Sequence, residues 1–153
     1  MQYWLMKSEP DAFSIDDLKK VKKEPWSGVR NYQARNFMWK DMKQGDAILF
    51  YHSNAKIPGI AGIAKVVSKA YPDPTQFDPE SGYWDPKATP EKPRWFLVDV
   101  SFVRKFTEVL SLEKLKANAE ILGDFVLLNR GTRLSVLPVT HDQWQTILTL
   151  EPK

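Results

Sequence analysis

The sequence predicts an α+β fold, a small mixed β-barrel with helices packed around it. Three observations lead there. Apolar runs at 3–6, 47–52, 57–67, 93–102 and 133–139 have strand length. One of them carries Gly59, Ala61 and Gly62, small residues that let a strand bend as a barrel requires. Most of the runs follow one another without a crossover helix, and the helical segments start at recognisable caps. The 153 residues fit one domain, 1–153, with no repeat, low-complexity tract or linker.

Residues 3–6, Tyr-Trp-Leu-Met, read as a short buried strand that ties down the N-terminus. Lys7-Ser8-Glu9 ends it, because Pro10 pushes Glu9 out of helical geometry. Ser14 caps a helix over 15–20, with Asp16 and Asp17 in the first turn and lysines toward its end. Residues 21–25 read as the way out of that helix. A turn at 26–28 leads to a helix over 31–41 that turns Ala34, Phe37 and Met38 to the core.

Lys43-Gln44-Gly45-Asp46 is a tight turn. The run 47–52 is apolar without alternation, so it is expected to be central and covered on both faces. Residues 70–92 hold five prolines with Tyr71, Phe77, Tyr83 and Trp84. A loop that long is functional or disordered, and its aromatic content argues for order. It reads equally as a lid or as a plug for the barrel's open side. The strand 93–102 alternates and has one exposed face. Ser111 caps a helix over 112–119. A short apolar element at 126–130 is broken at 129–132. The strand 133–139 is edge-like at Pro138. Thr140 caps a helix over 141–150 that turns Trp144, Ile147 and Leu148 inward, with His141 at the surface.

Composition excludes several function classes. With no cysteine there is neither a disulfide nor a thiolate metal site. Two histidines stand in no metal spacing, and no phosphate-binding glycine loop is present, so no metal or cofactor is expected. No signal peptide or membrane-length apolar run is visible. The expectation is an intracellular protein that is not secreted, cytoplasmic in a bacterium and nuclear in a eukaryote. The net charge of +3 is compatible with a polyanion partner without indicating one. Six tryptophans are more notable, since a small domain can place some in a pocket.

The most informative stretch is Trp26-Ser27-Gly28-Val29-Arg30-Asn31-Tyr32-Gln33-Ala34-Arg35-Asn36. A helix made only for burial would carry leucines where Asn31, Gln33 and Asn36 stand. A solvated helix has no need of Trp26 and Tyr32. Flat rings that stack, beside amides that bond edges, are what a nucleobase site needs. Asn31 also reads simply as a helix N-cap, but that leaves Trp26, Arg30 and Arg35 unexplained. The segment is expected to form one wall of a base pocket.

This stretch, with Trp4-Leu5-Met6-Lys7-Ser8-Glu9-Pro10, Phe50-Tyr51-His52-Ser53-Asn54, Arg94-Trp95 and Arg133-Leu134-Ser135-Val136, resembles the EVE domain over essentially the whole chain. The resemblance implies the PUA-like fold, a β-barrel with flanking helices. It also implies a likeness to YTH domains, which hold a methylated base in an aromatic cage, and hence a non-catalytic reader of a modified base, cytosine especially, in RNA or DNA. By that likeness the base pocket comprises Ser8, Trp26, Val29, Asn31, Tyr32, Tyr51, His52 and Ser53. A loop ring, Tyr83 or Trp84, closes it, and Lys7, Arg30 and Arg35 hold the backbone. Leu137 stands where many relatives carry a polar residue.

Two other function classes stay open. One is a hydrolase acting on a modified nucleoside or RNA, as in the related ASCH domains, with Lys7 and Glu9 as base and partner. The other is a protein-interaction module that uses the aromatic loop. Oligomeric state is not legible.

Overall fold

The computed structural model describes every residue except Gly131. Strand β1 (Tyr3–Ser8) opens the chain. Helix α1 (Ile15–Val21) begins at Ser14, whose hydroxyl accepts from the Asp17 N–H while the Asp17 carboxylate accepts from the Ser14 N–H. Strand β2 (Lys23–Pro25) follows at once and pairs antiparallel, Glu24 opposite Val100. The sequence reading left this segment as a connection. Its lysine, glutamate and proline carry no local strand pattern, and a charged, proline-ended strand is tolerated at a sheet edge.

Helix α2 (Tyr32–Asn36) runs into a π-turn, Phe37–Asp41, so the expected helix over 31–41 is present in two geometries. Then come β3 (Ala47–His52), β4 (Gly59–Val66), β5 (Tyr71–Pro72), a 3-10 turn at Pro74–Phe77 and β6 (Phe96–Leu97). β5 and β6 form a small sheet of their own, so the proline-rich stretch is an ordered excursion. The expected strand 93–102 is split: residues 96–97 pair with β5 as β6, and β7 (Asp99–Ser111) starts only at Asp99 and runs nine residues past the expected end at 102. Arg104, Lys105 and Glu108 hid that extension, because one face of it is exposed to solvent. Helices α3 (Leu112–Ala117) and α4 (Ala119–Leu122), strand β8 (Val136–Val139) and helix α5 (His141–Leu150) complete the fold. The expected helix over 112–119 thus stops at Ala117, with α4 as a separate turn. The break expected at 129–132 includes Gly131, outside the described residues.

The main sheet has the order β2-β7-β4-β3-β1-β8, with β1 and β3 parallel and its other pairs antiparallel. Bulges between Phe50 and Tyr51 and along β4 add twist, and the sheet curls into a half-barrel. A Cβ on Gly62 would lie 2.6 Å from the Arg104 carbonyl oxygen, so the strands approach here only because the residue is glycine. Alternation divides the core. Trp4, Met6, Ile48 and Phe50 pack inside with α1 and Trp26. Leu5, Leu49, Tyr51 and Ile60 face the other side with α5.

Candidate nucleic-acid interface

On the Phe50 side of the sheet a cleft of about 600 Å³ opens between the end of β1 and the segment after β2. That volume lies within the range of small-ligand sites. Of the residues singled out from sequence, Lys7, Ser8, Trp26, Val29, Arg30 and Asn31 border it. Of the two loop rings considered from sequence, Tyr83 borders it, and the structure adds Glu24, Phe13, Thr75 and Ser135.

The walls have traceable causes. Trp26 continues β2: its N–H donates to the Val98 carbonyl at 3.0 Å. Its ring meets Phe50 edge-on, centroids 5.6 Å apart. Only 8% of the residue is exposed, so it offers a rim rather than an open face. The indole N–H has no protein partner, and no buried side-chain nitrogen or oxygen is sealed off unpaired among the described residues. This donor therefore reaches solvent, in a residue that borders the cleft. Asn31 caps α2 by accepting the Ala34 N–H at 2.9 Å, which leaves its amide nitrogen free. Ser8 donates its hydroxyl to the Phe13 carbonyl at 2.5 Å, so it can only accept from a ligand.

The loop wall hangs on Asp73, a fully buried residue. Its carboxylate accepts from the Gly28 N–H at 2.8 Å, from Arg30 at 3.1 Å and from both the N–H and the hydroxyl of Thr75. Burial alone would raise its pKa, but these hydrogen bonds from Thr75, Gly28 and Arg30 outweigh it and hold it below the usual carboxylate value. Arg30 also donates to the Tyr83 carbonyl at 2.7 and 3.1 Å. The guanidinium is thus spent inside the protein, as a clamp between the Trp26 segment and the loop. Gly28, at φ +87°, makes room for the Tyr83 ring; a Cβ there would sit 2.7 Å from it.

Six sequence-derived residues fall outside the cleft wall. Tyr32 stacks on Trp95 at 4.8 Å and accepts from Arg94 at 2.6 Å. Arg35 lies over Tyr32 and donates to the Arg94 carbonyl at 2.7 Å. Tyr51 alternates with Phe50 and is buried on the opposite face, its hydroxyl pKa raised by burial. His52 accepts the Ile15 N–H at 3.1 Å, capping α1, and burial lowers its pKa. The Ser53 N–H donates to the Ser8 carbonyl, extending the strand pairing. Trp84 is exposed on the loop, while Tyr83 borders the cleft. Leu137 is buried with the Tyr51 cluster, and Ser135, just before β8, reaches the cleft instead.

Lys7 needs a distinction. It touches the cleft, but its ammonium lies 5.9 Å from the Tyr51 ring centroid, toward the other face of β1. Glu9, beyond the strand, also borders the cleft and accepts from the Asn54 amide at 2.8 Å.

Glu24 is the residue sequence reasoning missed. It precedes Trp26 by two positions on an extended segment, so both face inward. Its carboxyl makes no hydrogen bond or ion pair among the described residues, and burial raises its pKa. The period-two step back from Trp26 was the available signal, obscured by the charged run around it.

Comparison with known proteins gives this geometry its relatives. The EVE domain family model matches residues 2–150. Human thymocyte nuclear protein 1 is 44% identical over 169 residues, covering 99% of this chain and 74% of that protein. A crystal structure from Pseudomonas putida superposes with a TM-score of 0.93 at 53% identity, covering 97% of this chain and 98% of that one. Human THYN1 protein, crystallised in complex with 5-methylcytosine containing DNA, superposes with a TM-score of 0.94 at 43% identity, covering 100% and 99%.

Proposed function

The chain belongs to the EVE domain family, and from that membership we propose that it is a nucleic-acid reader that seats a modified cytosine in the cleft beside Trp26, without chemistry on the base. The observation that carries the reading is the cleft itself. It gathers an aromatic rim, an indole N–H, the Asn31 amide nitrogen and the Glu24 carboxyl, the last three without a partner among the described residues, in one concavity with room for a heterocycle. A base in duplex DNA reaches such a site by turning out of the stack. Human THYN1, at 43% identity over the whole chain, is the relative crystallised with 5-methylcytosine containing DNA, and its likeness supports the same ligand class here.

In this reading the division of labour differs from the one expected from sequence. Arg30 and Arg35 act as positioning residues, tying the loop and α2 in place, because their guanidiniums are already engaged. Tyr83, clamped through its carbonyl by Arg30, supplies the loop ring in place of Trp84.

The test is an anisotropy titration at fixed salt with oligonucleotides that differ at one position, cytosine or 5-methylcytosine. One extra methyl in an apolar pocket is worth about 10–200-fold at most, so a several-fold preference for the methylated strand is expected. Trp26→Phe, which keeps a ring against Phe50 and removes the indole N–H, should weaken that binding, with a thermal melt of the variant separating the lost donor from the stability lost with the smaller ring. Equal affinity of the wild-type protein for both strands would sink the reading. Mass analysis of the recovered oligonucleotide should find the base unchanged; turnover would move the protein to the hydrolase class.

A further inference from the structure

We infer that Glu24 is the specificity-determining acceptor of the cleft, taking a hydrogen bond from the exocyclic amino group of the base. This rests on the base-reading function proposed above and adds the residue that tells its amino-bearing, cytosine-like base from a uracil-like one.

Three observations converge. First, position: Glu24 lies opposite Val100 in the β2–β7 ladder, and Val100 belongs to the inner cluster that also holds Trp26 and Phe50. The strand period therefore turns Glu24 and Trp26 to the same, concave side, and both border the cleft. Second, availability: the other acids near the cleft are engaged. Asp73 accepts four hydrogen bonds, and Glu9 accepts from Asn54. Glu24 has neither a cation within 4.0 Å nor a hydrogen-bond donor among the described residues. Third, complementarity: on the same wall stands the Trp26 indole N–H, a donor without a partner. An acceptor beside a donor matches the cytosine edge, where the N4 amino group donates and the ring N3 accepts. Thymine carries the same methyl group as 5-methylcytosine but reverses both groups, with a carbonyl at C4 and a proton on N3. A carboxylate facing that carbonyl repels it.

An inward-pointing charge also guards an edge strand such as β2 against further pairing. Any charge serves that purpose, whereas only an acceptor selects an amino group. Partial desolvation raises the pKa of Glu24, which makes an unfilled cleft costly to its charged form and a donor in the cleft welcome.

The experiment compares 5-methylcytosine with thymine at one position, in matched duplexes and as single strands. Wild-type protein should prefer 5-methylcytosine by about tenfold or more, the scale of one good base-edge contact. Glu24→Gln presents an amide that accepts or donates, and the preference should shrink below about threefold through weaker binding of 5-methylcytosine. Glu24→Ala should do the same, and Glu24→Lys should reverse the preference while keeping a charge on the edge strand. Thermal unfolding of each variant, expected to match wild type, separates recognition from folding. Full retention of the preference in Glu24→Gln, or a wild-type protein indifferent to the amino group, would overturn the assignment of Glu24 alone. A wild-type protein with no affinity for the 5-methylcytosine oligonucleotide would overturn the base-reading function beneath it.

Discussion

Asp73 is the residue on which the cleft's loop wall depends, and its charge gives that dependence a pH signature. Its folded pKa is depressed below the ordinary 3.8 by hydrogen bonds from Thr75, Gly28 and Arg30 that outweigh its burial. A depressed carboxyl contributes stability that is present above its unfolded pKa and is lost as pH falls through the folded value. The difference in unfolding free energy between wild type and Asp73→Asn should thus be constant from about pH 5 to 8 and shrink below about pH 4. Denaturant melts across that range check it; a difference that grows in acid would contradict the assigned hydrogen bonds. Locally Asp73 acts as a turn former between two prolines, capping the 3-10 turn. Its long-range partners, Gly28 and Arg30, lie more than forty positions away, and nothing local announces them. Trp26 was legible as a ring out of place in a polar stretch. That most of it would be buried against Phe50 was not. Trp26→Ala is for that reason a poor probe of binding, since truncating a buried tryptophan costs about 3–5 kcal/mol of stability.

At the scale of elements, the cleft exists because three local pieces end beside one another: the tip of β1, the exit of β2 and the loop carrying Tyr83. The join between the second and third is Gly28. Its φ of +87° and the Tyr83 ring against its α-carbon both exclude a side chain. Gly28→Ala should cost about 1–2 kcal/mol in backbone strain and push the Tyr83 ring away. The expected readouts are a lower melting temperature and faster hydrogen exchange in residues 73–83, with the α5 amides unaffected. Unchanged exchange in the loop would show that Tyr83 does not depend on this seat. The elements themselves were largely readable. Ser14, Asn31, Ser111 and Thr140 cap helices as their residue types require. The misses were β2 and the second half of β7, strands whose exposed charges break the alternation that sequence reading relies on.

For the whole molecule, one sheet serves two cores. Leu5 and Met6 are adjacent in sequence and fully buried on opposite faces. Either one changed to alanine should destabilise the protein by about 2–5 kcal/mol. Because β1 links both clusters, unfolding should remain a single transition, coincident by tryptophan fluorescence and by circular dichroism. Two separated transitions would mean that the faces melt independently. The sequence by itself determined the α+β class, the helix starts, the strand pairing partners' apolar character and the segment 26–36 as the chemically unusual one, because caps, periodicity and composition act over a few residues. Only the tertiary structure decided which side chains meet in the cleft. The curl of the half-barrel brings β1 and β2 to one trough although three strands lie between them in the sheet. It turned Tyr51 and His52 away to structural work, spent the arginines on the loop and α2, and left the carboxyl of Glu24 at the cleft. Such convergence depends on sheet curvature and on contacts between residues far apart in the chain, and no local pattern encodes either.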